Sequence, residues 1–246
     1  MIIFDEKKYA EGLLEHGFVR FMSIKDLTAL AKYWLSDGLS PHATKLKLED
    51  FCLDFNPQYN KVISVWKIEV AIKNAKKYPL FAFSGIPICK GELDTINAVD
   101  NFRYEKVLFT MLVIARWQGM RKGNLEDSSH YVNQKISEVM TLSGVNIRLQ
   151  ERNDMLKYLN DVGLVDTALT GAYRLTYAHY DLANVALTIT DYSHGIGSKH
   201  YPSKCEVCGE YYHRIAHFHK LCRPCYVAKR REDVRLNVQK LRQSMQ

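Results

Sequence analysis

The chain has 246 residues, of which 47% are hydrophobic, so it can bury a core in one large domain or two small ones. Its apolar runs are too short to cross a bilayer and its first residues lack the pattern of a secretory signal, which predicts a cytoplasmic protein with no membrane partner. The net charge of +7 lies entirely in residues 199–246, where eleven Lys and Arg stand against four Asp and Glu. The preceding 198 residues, the body, are therefore neutral.

The first part of the body predicts a helical N-terminal region over residues 1–80. Ser23 has the character of a helix N-cap, and apolar residues follow it at helical spacing until Gly38. Two more helices are predicted over residues 42–55 and 60–77, the first ending before Asn56-Pro57.

The second part of the body, residues 81–192, predicts a winged-helix-like domain. Its order is helix, helix, tight turn, helix and hairpin, which is the order of the winged-helix fold. The predicted elements are helices over 103–117, 133–142 and 147–161, and strands over 164–169 and 172–177. A further strand is predicted over 185–189.

The sequence does not decide whether the candidate recognition helix of this domain, residues 147–161, contacts DNA or a protein. Winged helices commonly lay this helix in the DNA major groove, which makes Arg148, Arg152 and Arg174 of the wing candidate contacts. Acidic residues match the basic ones along the helix, however, so that it has little attraction for phosphate. Winged helices also serve as protein-contact modules, and both alternatives stand.

Residues 193–203 predict a linker because they are rich in glycine and serine and have little to bury. We expect a flexible tether that lets the following segment move.

The last segment, residues 204–246, carries the strongest chemical signal and is here called the finger. Two Cys-x-x-Cys pairs predict one structural zinc ion bound by four thiolates, from Cys205, Cys208, Cys222 and Cys225. Pro224 suits the first turn of a helix that continues toward Arg242. A knuckle, a hairpin over residues 211–219 and this helix resemble a treble-clef finger.

Two further groups of residues of the types that bind metals have other expected roles. Cys52 and Cys89 are isolated in apolar surroundings and are expected to be buried small hydrophobes. The histidines around residue 217 are expected to be surface or phosphate-contacting groups, because four cysteines already complete a tetrahedron.

The helix that ends the finger is predicted to carry a row of basic residues that contacts the phosphate backbone of a nucleic acid. Val227 and Val234 share a narrow apolar stripe, and arginines lie along its flank. The candidate nucleic-acid contacts of the finger are Arg214, Lys229, Arg230, Arg231, Arg235 and Arg242. The alternatives are a solvated charge run, or an apolar seam that pairs with another subunit or with the body.

The finger motifs also carry a family resemblance. The runs at 204–209, 220–225 and 230–235 resemble the short four-cysteine fingers that end proteins of Gram-positive bacteriophages and integrated elements. Residues 30–33 and 106–112 of the body are similar to the same group. The resemblance implies a mobile-element protein that acts on nucleic acid in the host cytoplasm.

We therefore expect a mainly α fold with a small β component, and a non-enzymatic, zinc-containing nucleic-acid-binding protein of regulatory or replication-accessory type. DNA is favoured over RNA, and the oligomeric state is left open. The alternative is an adaptor or inhibitor that binds a host polymerase, replication or defence factor through the neutral body. A metal-dependent nuclease is the third reading, for which the sequence offers no paired carboxylates and no His-Glu-x-x-His pattern.

Overall fold

The computed structural model describes residues 3–17, 22–56, 58–81, 85–123, 130–167, 171–179, 181–190, 196–214 and 219–244. The chain divides into two compact units, Met1–Ser84 and Gly85–Gln246. Helices dominate both, and the strands are short, which confirms the mainly α fold with a small β component.

The N-terminal unit is built from four helices. They are α1 (Glu6–His16), α2 (Ile24–Ser36), α3 (Pro41–Phe55) and α4 (Lys61–Lys77). Ser23 caps α2 as predicted: its Oγ accepts the Asp26 N–H at 3.2 Å, and Asp26 Oδ2 accepts the Ser23 N–H at 3.1 Å. The sequence prediction did not include α1, whose N-cap Asp5 accepts the Lys8 N–H at 2.9 Å.

The core of this unit lies between α2 and its neighbours. Leu27, Leu30 and Leu48 are fully buried, and Trp34 packs edge-on against Phe51 with ring centroids 6.4 Å apart. An ion pair is buried with them, since Lys32 Nζ lies 2.6 Å from Glu6 Oε1. This pair ties α1 to α2.

The second unit contains six helices and seven strands within its described residues. The helices are α5 (Lys90–Asn97), α6 (Phe102–Lys122), α7 (Ile136–Ser143), α8 (Leu149–Asp161), α9 (Ile196–His200) and α10 (Arg223–Ser244). The strands are β1 (Ile86–Cys89), β2 (Tyr131–Val132), β3 (Val165–Thr167), β4 (Tyr173–Leu175), β5 (Val185–Ile189), β6 (Pro202–Lys204) and β7 (Tyr211–His213).

Helix α6 is the centre of the second unit. Its side chains are buried without a break from Val107 to Gly119, as the apolar composition of residues 103–117 predicted. The buried Tyr177 hydroxyl donates to the Leu108 carbonyl at 2.8 Å and holds the segment after β4 against this helix.

The elements α6, β2, α7, α8, β3 and β4 follow one another in the region predicted to be winged-helix-like, here called the winged-helix-like part. The three strands pair antiparallel in the order β2-β4-β3. The predicted helices and wing strands are present; α6 extends beyond the predicted 103–117 at both ends, and the others have shorter bounds. Helix α7 is followed by Gly144 in the left-handed conformation, φ 66°. The sequence reading missed β2, because a strand of two residues carries no alternation to recognise. It predicted β5 but not its partner β1.

The prediction of a flexible linker over 193–203 is wrong for its described residues, 196–203. They form α9 and the start of β6, and Ile196 and Tyr201 are buried. Ser198 Oγ donates to the Ser143 carbonyl at 3.1 Å and accepts from Lys106 Nζ at 3.0 Å. A Cβ added to Gly197 would lie 2.8 Å from the carbonyl oxygens of Lys106 and Ser143. The glycine content here reflects close packing against α6, not a tether. Residues 193–195 lie outside the described part of the chain.

None of the helices in the described part of the chain combines the length and the apolar composition that a membrane crossing requires.

Candidate metal centre

The first cysteine pair sits in the turn of a β-hairpin. Strands β6 and β7 pair antiparallel, with Lys204 opposite Tyr211. The Cys205 N–H donates to the Glu210 carbonyl and the Gly209 N–H donates to the Cys205 carbonyl, both at 2.9 Å. Gly209 has φ 74°, which a glycine adopts without strain. The turn therefore presents two thiols from a fixed knuckle.

This hairpin differs from the predicted one over residues 211–219. The strand at Tyr211–His213 pairs backward with residues 202–204, across the first cysteine pair, and residues 215–218 lie outside the described part. The sequence signal was misread because β6 falls in the segment interpreted as a linker.

The second cysteine pair lies where α10 begins. The Cys222 carbonyl accepts the Tyr226 N–H at 2.9 Å, so Cys222 precedes the first turn and Cys225 lies within it. Pro224 occupies the first turn, where its missing N–H costs no intrahelical bond. The Glu206 N–H donates to the Lys220 carbonyl at 3.2 Å and joins the segment before this pair to the knuckle.

The four thiols meet at one point. The sulfur atoms of Cys205, Cys208, Cys222 and Cys225 all lie within 4.8 Å of one another. The Cys208 and Cys222 sulfurs are 3.7 Å apart, close to the edge of about 3.8 Å in a tetrahedron with metal–sulfur bonds of about 2.3 Å. The cluster can therefore hold a metal ion, and its geometry fits tetrahedral thiolate coordination.

Backbone donors prepare the buried end of this cluster for an anionic sulfur. Burial raises the pKa of the Cys205 thiol, but N–H groups of Cys208, Cys222 and Val207 outweigh burial and lower that pKa to about 6. The Cys222 N–H lies 3.3 Å from the Cys205 sulfur. A stabilised thiolate is the form that binds metal.

The other two cysteines lie outside the cluster, and the expectation that they are buried holds. Cys52 packs with its sulfur 3.2 Å from that of Met22, and burial raises the pKa of its thiol to about 12. The Cys89 thiol lies 3.2 Å from the Asp181 carbonyl oxygen, and burial raises its pKa as well. Neither sulfur is part of the candidate centre.

The hairpin is docked on the C-terminal half of α5. Lys204 Nζ lies 2.6 Å from Asp94 Oδ1, and the Tyr211 hydroxyl donates to the same oxygen at 2.9 Å. The Lys204 N–H donates to Asn97 Oδ1 at 3.0 Å. Hydrogen bonding from Lys204 holds the pKa of the Asp94 carboxyl below its ordinary value. These contacts join residues about 110 positions apart, so no local sequence signal indicates them.

A second set of contacts anchors the chain just before the hairpin to α6. The buried Tyr201 hydroxyl donates to Glu105 Oε2 at 3.0 Å, and its ring lies 5.4 Å from that of Phe109. The Arg214 guanidinium lies 4.6 Å from the centre of the Phe102 ring. The metal centre is therefore carried on a rigid support.

We expect Asp94→Ala to loosen the hairpin without releasing its metal. The substitution removes the common acceptor of Lys204 and Tyr211, but the pair is more than a third exposed, so the loss in unfolding free energy should stay below about 1 kcal/mol. Hydrogen exchange of the Lys204 amide should quicken while metal stoichiometry stays constant. Asp54→Ala, which removes an exposed carboxylate from α3, is the control; an equal change in exchange for both variants would contradict the assignment.

The basic residues predicted in the finger divide into two groups. Lys229, Arg230, Arg231 and Arg235 are exposed on α10, where Arg235 also pairs with Glu232 at 2.8 Å. Arg214 is half-buried against Phe102 and therefore faces the rest of the unit. Helix α10 includes Arg242, but the side chain of Arg242 lies outside the described part.

The candidate contacts in the winged-helix-like part are scattered among acidic partners. Arg148 caps α8, and its N–H donates to Glu151 Oε2 at 3.3 Å. Arg152 is half-buried, and Arg174 is exposed on β4 directly opposite Asp166 of β3. Arg148 and Arg174 thus each lie beside an acidic residue of the same part.

Comparison of the chain with protein-family models, curated proteins and solved structures finds no match. The resemblance to fingers of phage and integrated-element proteins thus rests on its motifs, of which the structure supports the cluster of four cysteines.

Proposed function

We propose that this chain is a non-enzymatic, zinc-containing protein that binds nucleic acid, DNA in preference to RNA, through its finger. A regulatory or replication-accessory role in the host cell of a phage or integrated element follows from the motif resemblance. One observation carries the proposal. An exposed basic helix begins at the four-thiol cluster, and the segment that contains both follows a body without net charge.

Zinc is the metal that suits this cluster. Four thiolates in two Cys-x-x-Cys pairs form the closed tetrahedral set typical of structural zinc, with no open position for a substrate or water. The metal would fix the knuckle against the start of α10 and thereby set the direction of that helix. Four thiolates and one zinc ion add a charge of about −2, so the region from residue 199 would keep about +5.

Helix α10 offers its positive charge to solvent from several sides. All side chains from Tyr226 to Asn237 are exposed, and Lys229, Arg230 and Arg231 are consecutive. A helix whose described side chains over residues 226–237 bury no face gains little from folding alone. Contact with a polyanion would supply the missing stabilisation, because each Lys or Arg placed on a phosphate releases counterions.

The winged-helix-like part contributes less electrostatic attraction. Arg174 faces Asp166 across the wing, and Glu151, Asp154 and Asp161 offset the basic residues of α8. We assign to it the selection of a site or a partner, with the finger providing most of the affinity.

The test is a salt titration of nucleic-acid binding by the full-length, zinc-loaded protein. Lys229, Arg230 and Arg231 changed together to Ala should weaken binding and reduce the slope of log affinity against log salt by about 0.9 per lost duplex phosphate contact. The matched control changes the exposed Lys73, Lys76 and Lys77 of α4, which removes the same charge. Absence of binding at low salt, or binding that is independent of salt, would overturn the proposal.

A protein-binding adaptor is the second candidate, and the surface of the N-terminal unit favours it. Large apolar side chains are exposed on α3 and α4, including Leu53 at 62%, Val62 at 86%, Ile63 at 69% and Trp66 at 51%. If this reading is right, Val62→Ser with Trp66→Ser abolishes capture of a host polymerase, replication or defence factor and leaves salt-dependent nucleic-acid binding unchanged. Cleavage of the probe with added divalent ions would instead indicate a nuclease.

A further inference from the structure

A groove of ≈ 890 Å³ lies beside the metal centre, between β7 and the first turns of α10. Its lining combines aromatic, histidine and basic side chains with two acidic ones, Glu206 and Asp233. The size lies within the range of pockets that hold a ligand of one or two rings. Its composition indicates which ligand.

Two tyrosine rings line the groove from different elements. Tyr212 of β7 donates its hydroxyl to the His219 carbonyl, which fixes the orientation of its half-buried ring. Tyr226 of α10 is 53% exposed. An exposed aromatic ring beside positive charge can stack on any nucleobase, because every base has a π-face.

The positive charge of the groove is only partly neutralised. Lys220 Nζ lies 3.0 Å from Glu206 Oε1 and 3.6 Å from Asp100 Oδ1, so its charge is shared with two carboxylates. Arg223, Lys229 and Arg230 are exposed, with no ion pair to another residue in the described part of the chain. Asp233 is the remaining acid, which leaves a net positive wall.

The Tyr226 ring and these charges share one side of α10. Arg223, Tyr226 and Arg230 follow one another at spacings of three and four residues, and neighbours at these spacings lie on one helix face. A phosphate held by Arg223 or Arg230 therefore places its nucleotide beside the Tyr226 ring. A base pair inside a duplex cannot reach that ring, since its faces are already stacked.

We propose that this groove binds unpaired nucleotides of single-stranded nucleic acid, with a base stacked on Tyr226 and phosphates on Arg223, Lys229 and Arg230. The inference rests on the proposed function and narrows it, because basic residues alone would favour duplex and single strand alike. The anchored ring of Tyr212 forms the second wall against which a neighbouring base packs.

The experiment measures binding of the full-length, zinc-loaded protein to a short oligothymidylate and to a mixed-sequence duplex of equal length. Tyr226→Ala should weaken oligothymidylate binding about five- to hundredfold, the range of losses found when a stacking ring is removed. Its salt slope and its binding to duplex should not change, and Tyr226→Phe should keep the single-strand affinity. Leu236→Ala, which removes another exposed side chain of α10 outside the groove, is the control.

The outcomes separate this inference from the proposed function. The groove assignment is overturned if Tyr226→Ala binds oligothymidylate as tightly as the parent chain, or if it loses affinity equally for single strand and duplex. In either case, salt-dependent binding by the parent chain still supports the proposed function. Binding of neither probe at low salt overturns both. If polyglutamate binds as tightly as oligothymidylate, the single-strand assignment is overturned and the ligand of the groove is an acidic protein segment. Retained zinc stoichiometry shows that each variant is folded at the finger.

Discussion

Cys222→Ser is expected to lower the zinc content of the purified protein from one ion per chain to none, and to unfold the finger. The sulfur of Cys222 lies 3.7 Å from that of Cys208, and replacing it with a hydroxyl removes one of the four thiolates at a buried corner of the tetrahedron. Structural zinc contributes about 10–16 kcal/mol to the folding of small fingers at neutral pH. Zinc release on denaturation, together with hydrogen exchange across residues 202–226, measures the effect.

The structure limits how far this unfolding spreads. The N-terminal unit has its own core around Leu27 and Leu30 and should keep its thermal transition. The second unit should lose only the docking contacts of Lys204 and Tyr211 on α5. Cys89→Ala is the control and should retain one zinc ion, because its thiol lies outside the cluster. A Cys222→Ser protein that keeps stoichiometric zinc would contradict four-thiolate binding.

Arg116→Met is expected to destabilise the second unit by about 3–5 kcal/mol, because it leaves a buried carboxylate without its cation. Arg116 and Glu92 are both fully buried, and Arg116 Nη2 lies 2.5 Å from Glu92 Oε1. The same oxygen accepts the His179 N–H at 2.9 Å, and Oε2 accepts the Cys89 N–H at 2.8 Å. Urea unfolding monitored within the second unit measures the loss.

Two variants sharpen this expectation. Arg116→Met combined with Glu92→Gln should cost less than the two single changes added together, since no charge then remains buried. Lys122→Met, at the exposed end of the same helix, should alter stability by no more than about 0.5 kcal/mol. Strictly additive losses would show that the two side chains act independently.

This ion pair also matters for the metal centre. Glu92 lies on α5, the helix whose Asp94 and Asn97 hold the β6–β7 hairpin. By tying α5 to α6, the pair fixes the surface on which the finger is docked. A loss of finger order in the Arg116→Met variant would therefore follow from the displacement of α5.

The predictions that held depend on short stretches of sequence. Ser23 and its partner Asp26 define the start of α2 within four residues, and apolar residues define α6 along one helix. The four clustered cysteines belong to two tight motifs, one in the turn of the β6–β7 hairpin and one at the start of α10. In all three cases the interactions that produce the structure are local.

The predictions that failed concern segments whose conformation depends on distant partners. Residues 196–203 have the composition of a tether, because glycine and serine are common in disordered segments. In the folded chain, however, Gly197 packs too closely against α6 and the end of α7 for a larger residue, and Ser198 donates a hydrogen bond to the end of α7. Strand β2 exists because β4 pairs with it. The contact of the Arg214 guanidinium with the Phe102 ring also joins distant segments and had no sequence signal, whereas the nucleic-acid contact of Arg214 stays a prediction.

The sequence alone therefore determined which four cysteines form a cluster that can hold a metal ion, the helices with strong periodicity and the confinement of net charge to the last 48 residues. The tertiary structure decided where that charge points, which helix supports the finger and that Tyr212 and Tyr226 line one groove. The reason is physical. Ligand spacing and helix periodicity are encoded within a few residues, whereas docking depends on contacts between segments that come together only when the chain folds.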